Sequence, residues 1–223
     1  MELAAVLIDM DGTLVDTEPY WMAAEWALIE AHGGTWSDQH QENLVGNALI
    51  ASAEYIREHG GIDLPPEVIV DLLLEHVVQQ ANETMPWRPG ARELLAELKE
   101  AGIPAALVTM SYTRLAQTMI DLLPRGTFAE VITGDQVADG KPHPEAYLTA
   151  AARLGVDPAA CVAIEDSPTG LASAEAAGCV VVAVPHRVAV SPAPRRRFVD
   201  SLADLDVEVL RGMVREADQS AAL

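Results

Sequence analysis

The sequence predicts an α/β fold: a Rossmann-like, doubly wound parallel sheet with an inserted all-helical cap domain. Three observations predict it. Short runs dominated by Val, Ile, Leu and Ala recur as LAAVLID, PAALVT, AEVIT, CVAIE and CVVVAV, and such near-continuous apolar runs suit strands covered on both faces. Helical segments of ordinary length, at residues 112–123, 144–154 and 168–177, separate the last four runs, the alternation of a parallel sheet with right-handed crossovers and helices on both faces. The first and second runs are separated by residues 17–87, which read as consecutive helices without a strand, far more chain than one crossover needs.

The cap helices fall at residues 18–31, 37–44, 48–58 and 65–84, with Gly33, Gly34, Gly60 and Gly61 as stops. Met85-Pro86-Trp87-Arg88-Pro89-Gly90 then returns the chain to the core, because paired prolines prevent helix continuation and favour an extended linker. Hinges are expected at residues 15–17 and 85–89, giving a core of residues 1–15 and 88–223 and a cap of residues 16–87. Arg195, Arg196 and Arg197 form the one basic cluster, within residues 185–197, and read as a solvated surface loop.

A chain of 223 residues can bury one core plus a smaller attached unit. Half of it is hydrophobic, yet no apolar run approaches the roughly 20 residues that cross a bilayer. The start lacks a basic leader, and Asp9 and Asp11 arrive where a signal peptide needs small residues, so a cytoplasmic location is expected. Cys161 and Cys179 sit in strand-like runs without neighbours at metal-ligand spacing and are expected as buried free thiols. A net charge of -20 disfavours nucleic acid and membrane surfaces as partners. An anionic small molecule would need local positive charge, from a metal ion and a few cations at its site.

Asp9-Met10-Asp11-Gly12-Thr13 follows the first strand directly. Its two carboxylates leave the sheet at the carboxyl edge, where α/β proteins place ligands, and Gly12 lets the backbone turn beside them. Alone, the pentapeptide is equally an Asp-Gly turn. Three further segments decide it: DMDGTLVDTEP resembles the first motif of the haloacid dehalogenase-like superfamily, and Thr109 after LV, Lys141 in DGKPHPEAY and Glu165-Asp166 in IEDSPTG match the other three in order and spacing. The resemblance runs from Leu3 to about Val184 and continues weakly through SLADL to a C-terminal helix.

The resemblance implies a Mg²⁺-dependent phosphatase of the β-phosphoglucomutase/phosphoglycolate phosphatase-like branch, acting on a small phosphorylated metabolite as a monomer or weak homo-dimer. It makes Asp9 the nucleophile; a carboxylate of ordinary pKa about 3.9 needs no activating base. Asp11 becomes the acid that protonates the leaving oxygen and then the base that activates water, a residue that points to phosphatases and phosphomutases within the superfamily. Thr109 is expected to donate to a phosphate oxygen, with Ser111 capping the next helix. Met10 and Met110 complete the phosphate loops, Met110 standing where the family often has Asn or Ser. Lys141, in a loop that cannot be helical before Pro144, projects its charge onto phosphate and Asp9, while His143 serves loop packing or orientation. The resemblance places Mg²⁺ on the Asp9 carboxylate, the Asp11 carbonyl and Asp166, with Glu165 binding through water or from behind the direct ligands; capping by Asp166 or Ser167 is compatible.

In the cap, Tyr20, Trp21, Met22 and Trp26 occur at helical spacing and read mostly as core, with one or two facing the cleft. Beside phosphate ester hydrolysis stand two alternatives, a sugar phosphomutase and a non-catalytic phosphate-ligand-binding module on the same fold. Two departures favour hydrolysis. The β-phosphoglucomutase branch carries His where this chain has Trp21, and an indole has a donor but no acceptor. The same branch carries a phosphate-gripping Arg three residues beyond the glycine matching Gly46, where this chain has Leu49; Arg57 is the cation that could substitute.

Overall fold

The computed structural model describes residues 1–44, 47–193 and 196–221. Six strands form one wholly parallel sheet in the order β3-β2-β1-β4-β5-β6. They are β1 (Ala5–Ile8), β2 (Ala105–Val108), β3 (Glu130–Ile132), β4 (Cys161–Glu165), β5 (Val180–Ala183) and β6 (Arg196–Phe198). The strands β1, β2 and β4 are buried along their whole length, which is why their sequences are apolar without alternation.

Successive side chains still face opposite ways. Val6 and Ile8 of β1 join the core layer containing Leu94, Leu95 and Leu98 of α5 (Ala91–Glu100) and Leu210 of α9 (Val207–Ala221). Ala5 and Leu7 join the opposite layer, with Ala146 and Tyr147 of α7 (Glu145–Leu154) and Leu171 of α8 (Pro168–Ala176). The sheet is thus covered on both faces, and α6 (Thr113–Ile120) adds Leu115 and Met119 to the first layer.

Strand order reverses at β1, which pairs with β2 on one side and β4 on the other. A crevice opens at the carboxyl ends of strands at such a point. The next residues along these three strands are Asp9, Thr109 and Asp166.

Between β1 and α5 lie α1 (Glu18–Ala31), α2 (Asp38–Glu42), α3 (Leu49–Gly60) and α4 (Pro66–Glu83). In α4, buried Ile69, Val70, Leu73, Leu74, Val77 and Ala81 recur on one helical stripe, and α4 packs on both α1 and α3. A charge at Val77, fully buried in that stripe, would break the helical unit. The two linkers pair with each other: Val15 bridges Trp87, the Asp16 N–H donates to the Pro86 carbonyl at 2.8 Å, and the Arg88 N–H to that of Leu14 at 2.9 Å.

One sequence expectation is corrected here. Arg196 and Arg197 are not loop residues but begin β6, the sheet edge beyond β5. Three residues with a half-exposed to exposed pattern carry no apolar run to announce a strand. Arg196 is held instead by Glu175, at 2.6 and 3.1 Å; Arg195 lies outside the described residues. Cys161 and Cys179 are buried thiols that form no disulfide, as expected. Among the described residues no helix is long and apolar enough to cross a membrane.

Candidate active site

The site is assembled by close approach of backbone to carboxylate. Gly12 has φ +82°, and a Cβ there would sit 2.1 Å from Asp166 Oδ2, so only glycine lets the β1 loop pass over that residue. Gly170, in the first turn of α8, likewise leaves room for Glu165, whose Oε2 would lie 1.9 Å from an added Cβ. The Met10 carbonyl accepts from the N–H groups of Leu14 and Val15, at 2.9 and 3.1 Å, which curls the chain and fixes Asp9 and Asp11 at the sheet edge.

Lys141 is buried, and its ammonium donates to Asp9 Oδ1 (2.7 Å), Glu165 Oε1 (2.6 Å) and the Val108 carbonyl (2.9 Å). All three of its protons are used. Burial opposes its charge, but Asp9 and Glu165 outweigh that and hold its pKa above the ordinary lysine value. Glu165 Oε1 also accepts from Tyr147 Oη at 2.6 Å, and Ser167 Oγ lies 3.4 Å from Oε2. Fully buried Glu165 is therefore first the counter-ion that aims Lys141 at Asp9.

Asp9, Glu165 and Asp166 each bring an oxygen within 4.8 Å of the others. Burial, then the Glu165 charge, raises the Asp9 pKa to about 7 against the pull of Lys141. Burial, then Asp9 and Glu165, raises that of Asp166 well above the carboxylate range. Crowded buried carboxylates with a single buried cation suit a hard cation bound through oxygen, so these residues fit Mg²⁺ by donor type and charge.

Asp11 is half-buried and receives four donors. Thr17 Oγ1 (2.5 Å) and Trp21 Nε1 (3.3 Å) reach Oδ1, and Thr109 Oγ1 (3.2 Å) and Ser111 Oγ (2.7 Å) reach Oδ2. Two of these depart from expectation. Ser111 does not cap α6, whose N-cap is Tyr112 without a side-chain capping bond; its hydroxyl instead donates to Asp11 at 2.7 Å. Thr109 lies at the strand end as expected but donates to Asp11. Trp21 was legible as a helix residue but not as a partner of Asp11.

Other expected residues separate clearly. Met10 packs in the core, whereas Met110 lines the cleft and its Sδ accepts from the Lys141 N–H at 3.2 Å. Ser167, and not Asp166, caps α8, accepting from the Gly170 N–H at 3.0 Å. His143 is exposed, and its Nδ1 accepts from the Glu145 N–H at 3.3 Å. Trp21 and Met22 face the cleft; Tyr20 donates to the Thr84 carbonyl; Trp26, at 42% exposure, is not core. Leu49 lines the cleft, while Arg57 is exposed and does not; Gly46 lies outside the described residues.

The cleft between strand ends and cap helices is lined by residues of both, among them Asp9, Lys141 and Asp166 from the core and Trp21, Glu25 and Gln41 from the cap. Residues 3–178 match the family described as haloacid dehalogenase-like hydrolase, and the chain belongs to that family. It is 33% identical over 221 residues to hexitol phosphatase B of Escherichia coli (strain K12), covering 95% of this chain and 98% of that protein. A CbbY variant from Rhodobacter sphaeroides, solved with xylulose-(1,5)bisphosphate, superposes with a TM-score of 0.84 at 28% identity, over 93% of this chain and 99% of that one. β-Phosphoglucomutase from Clostridium difficile also superposes with a TM-score of 0.84, over 97% of this chain and 99% of that one, but at 23% identity it shares the fold alone. The chain is a phosphatase of this family, with the phosphatase alternative favoured over the mutase.

Proposed function

We propose that the chain hydrolyses small phosphate monoesters with Mg²⁺, through a phospho-aspartyl intermediate on Asp9. The observation that carries this reading is the contact of Lys141 with Asp9 at 2.7 Å beside Asp166, with Asp11 two residues beyond the nucleophile. Asp9, Asp166 and the backbone at Asp11, with Glu165 behind, would hold Mg²⁺, which would supply charge neutralisation for the transferring phosphoryl group.

The chain's own groups do the rest. An Asp9 carboxylate oxygen attacks phosphorus as the ester P–O bond breaks, and Asp11 gives its proton to the departing oxygen. Asp11 then takes a proton from water as that water attacks the phosphoryl group, freeing Asp9. Lys141 offsets negative charge throughout and keeps Asp9 aimed. Thr17 and Trp21, at the start of the cap, together with Thr109 and Ser111, hold the Asp11 side chain by donors alone.

Residues 16–87 act as the cap, moving on the paired linkers at Val15–Asp16 and Pro86–Arg88 to admit substrate and exclude water. Hydrolysis is favoured over mutation because the described cleft lining offers no cation besides Lys141 to retain a distal phosphate. Phosphate release from a metabolite panel with Mg²⁺ tests the reading. Full activity in excess EDTA, or conversion of β-glucose 1-phosphate to glucose 6-phosphate faster than phosphate is released, would overturn it.

A further inference from the structure

The cap side of the cleft carries a polar cluster that the phosphoryl chemistry does not use. Gln41 of α2 is 4% exposed and Glu25 of α1 is 6% exposed, and both line the cleft. Glu25 Oε2 accepts from Trp36 Nε1 at 3.3 Å. The Gln41 amide nitrogen donates to the Met22 carbonyl at 3.2 Å. The Met22 carbonyl can only accept, so the NH₂ group faces it and the amide oxygen points elsewhere. Gln41 Oε1 is the buried side-chain polar atom left without a partner among the described residues.

A buried acceptor without a donor costs about 1–3 kcal/mol, and sites that hold a substrate hydroxyl leave such atoms for it to satisfy. The charge around it points the same way. Five carboxylates, those of Asp9, Asp11, Glu18, Glu25 and Asp166, line the described cleft against the one cation Lys141, which is already committed to Asp9 and Glu165. Burial, then the Asp11 and Glu25 charges, raises the Glu18 pKa to about 8, so these acids share one desolvated space.

We propose that Gln41 and Glu25 form an acceptor-only subsite that selects a polyol monophosphate, taking hydroxyl donors distant from the phosphate and rejecting a second anionic group. This rests on the phosphatase reading above and names the substrate class and the residues that choose it. With the phosphate against Asp9 and Lys141, the remainder of a polyhydroxy chain extends toward α1 and α2. A hydroxyl there donates to Gln41 Oε1; a phosphate or carboxylate there faces the Gln41 oxygen and the Glu25 carboxylate.

The test compares kcat/KM of the Mg²⁺-loaded protein for sorbitol 6-phosphate, phenyl phosphate and fructose 1,6-bisphosphate, in mildly alkaline buffer where Glu25 is ionised. The native protein should prefer sorbitol 6-phosphate to both others. Gln41→Leu should lower kcat/KM for sorbitol 6-phosphate about tenfold more than for phenyl phosphate, the equivalent of one lost hydrogen bond. Glu25→Gln, which keeps the shape and removes the charge, should cut the discrimination against the bisphosphate. A structural role for these residues would depress all three substrates together. Equal losses across the substrates, or a native preference for the bisphosphate, would overturn the subsite. Absence of turnover on all three would instead count against the phosphatase reading.

Discussion

The two walls of the cleft treat their polar groups differently. On the core side Lys141 spends every proton on Asp9, Glu165 and the Val108 carbonyl, and Tyr147 secures Glu165 from behind. On the cap side Gln41 Oε1 has no partner among the described residues and Glu25 keeps a carboxyl group in a buried place. The core wall is complete before substrate arrives, as electrostatic preorganisation requires, whereas the cap wall is left for the substrate to complete. Chemistry and choice of substrate are thereby assigned to different elements, and substitutions on each wall should fail in different ways.

The largest effect is expected at Asp9. Asp9→Asn removes a charge but almost no volume, so turnover should fall by about a thousandfold or more while the thermal transition stays cooperative; near-normal phosphate release would break the comparison at its core side. Lys141→Ala should next cost stability as well as activity. It leaves fully buried Glu165 without its cation, and breaking a buried pair this way costs roughly 3–5 kcal/mol, measurable by urea unfolding. An unfolding midpoint matching the native protein would show that the pair is not the anchor described.

The cap wall should answer to pH instead. Glu25 has its pKa raised from 4.5 to about 7 by burial, against the hydrogen bonds from Trp36 and Gln41. A carboxyl whose folded pKa is raised binds more protons folded than unfolded across that window. Stability contributed through it therefore falls as pH climbs from 4.5 to about 7. Glu25→Gln should be more stable than the native protein above that window, by on the order of 3 kcal/mol, with the gain vanishing toward pH 4.5. Melting curves of both proteins across the range read this directly, and parallel pH profiles would contradict it. The smallest effect is expected at the seam: Trp21→Phe removes one of four donors to Asp11 and should lower kcat by only a fewfold with little change in melting temperature.

The same division governs what the sequence disclosed. Asp9, Asp11, Thr109, Lys141, Glu165 and Asp166 were legible because the four motifs that carry them resemble those of the haloacid dehalogenase-like superfamily in order and spacing, and strand ends such as those at Asp9, Thr109 and Asp166 lie at one sheet edge. Glu25 and Gln41 were not, since facing the cleft depends on how α1, α2 and α4 pack, and a charged residue on an amphipathic helix ordinarily reads as solvated. Trp26 failed for the same reason in reverse, an apolar side chain assigned to core that lies 42% exposed. Ser111 was misassigned because a serine before a helix is the usual cap, and only the tertiary structure brings Asp11 within 2.7 Å of its hydroxyl. The sixth strand escaped notice because an edge of three residues, two of them arginine, buries too little to impose an apolar pattern.

The covalent step on Asp9 is the claim on which the rest depends, and trapping it is the direct measurement. The native protein, mixed with Mg²⁺ and excess sorbitol 6-phosphate, is quenched in acid during steady turnover and its intact mass and peptides are read. The account predicts a mass gain of one phosphoryl group, confined to the peptide that contains Asp9, discharged by hydroxylamine and missing in Asp9→Asn. Rapid turnover with the phosphoryl group found on a different residue would contradict it.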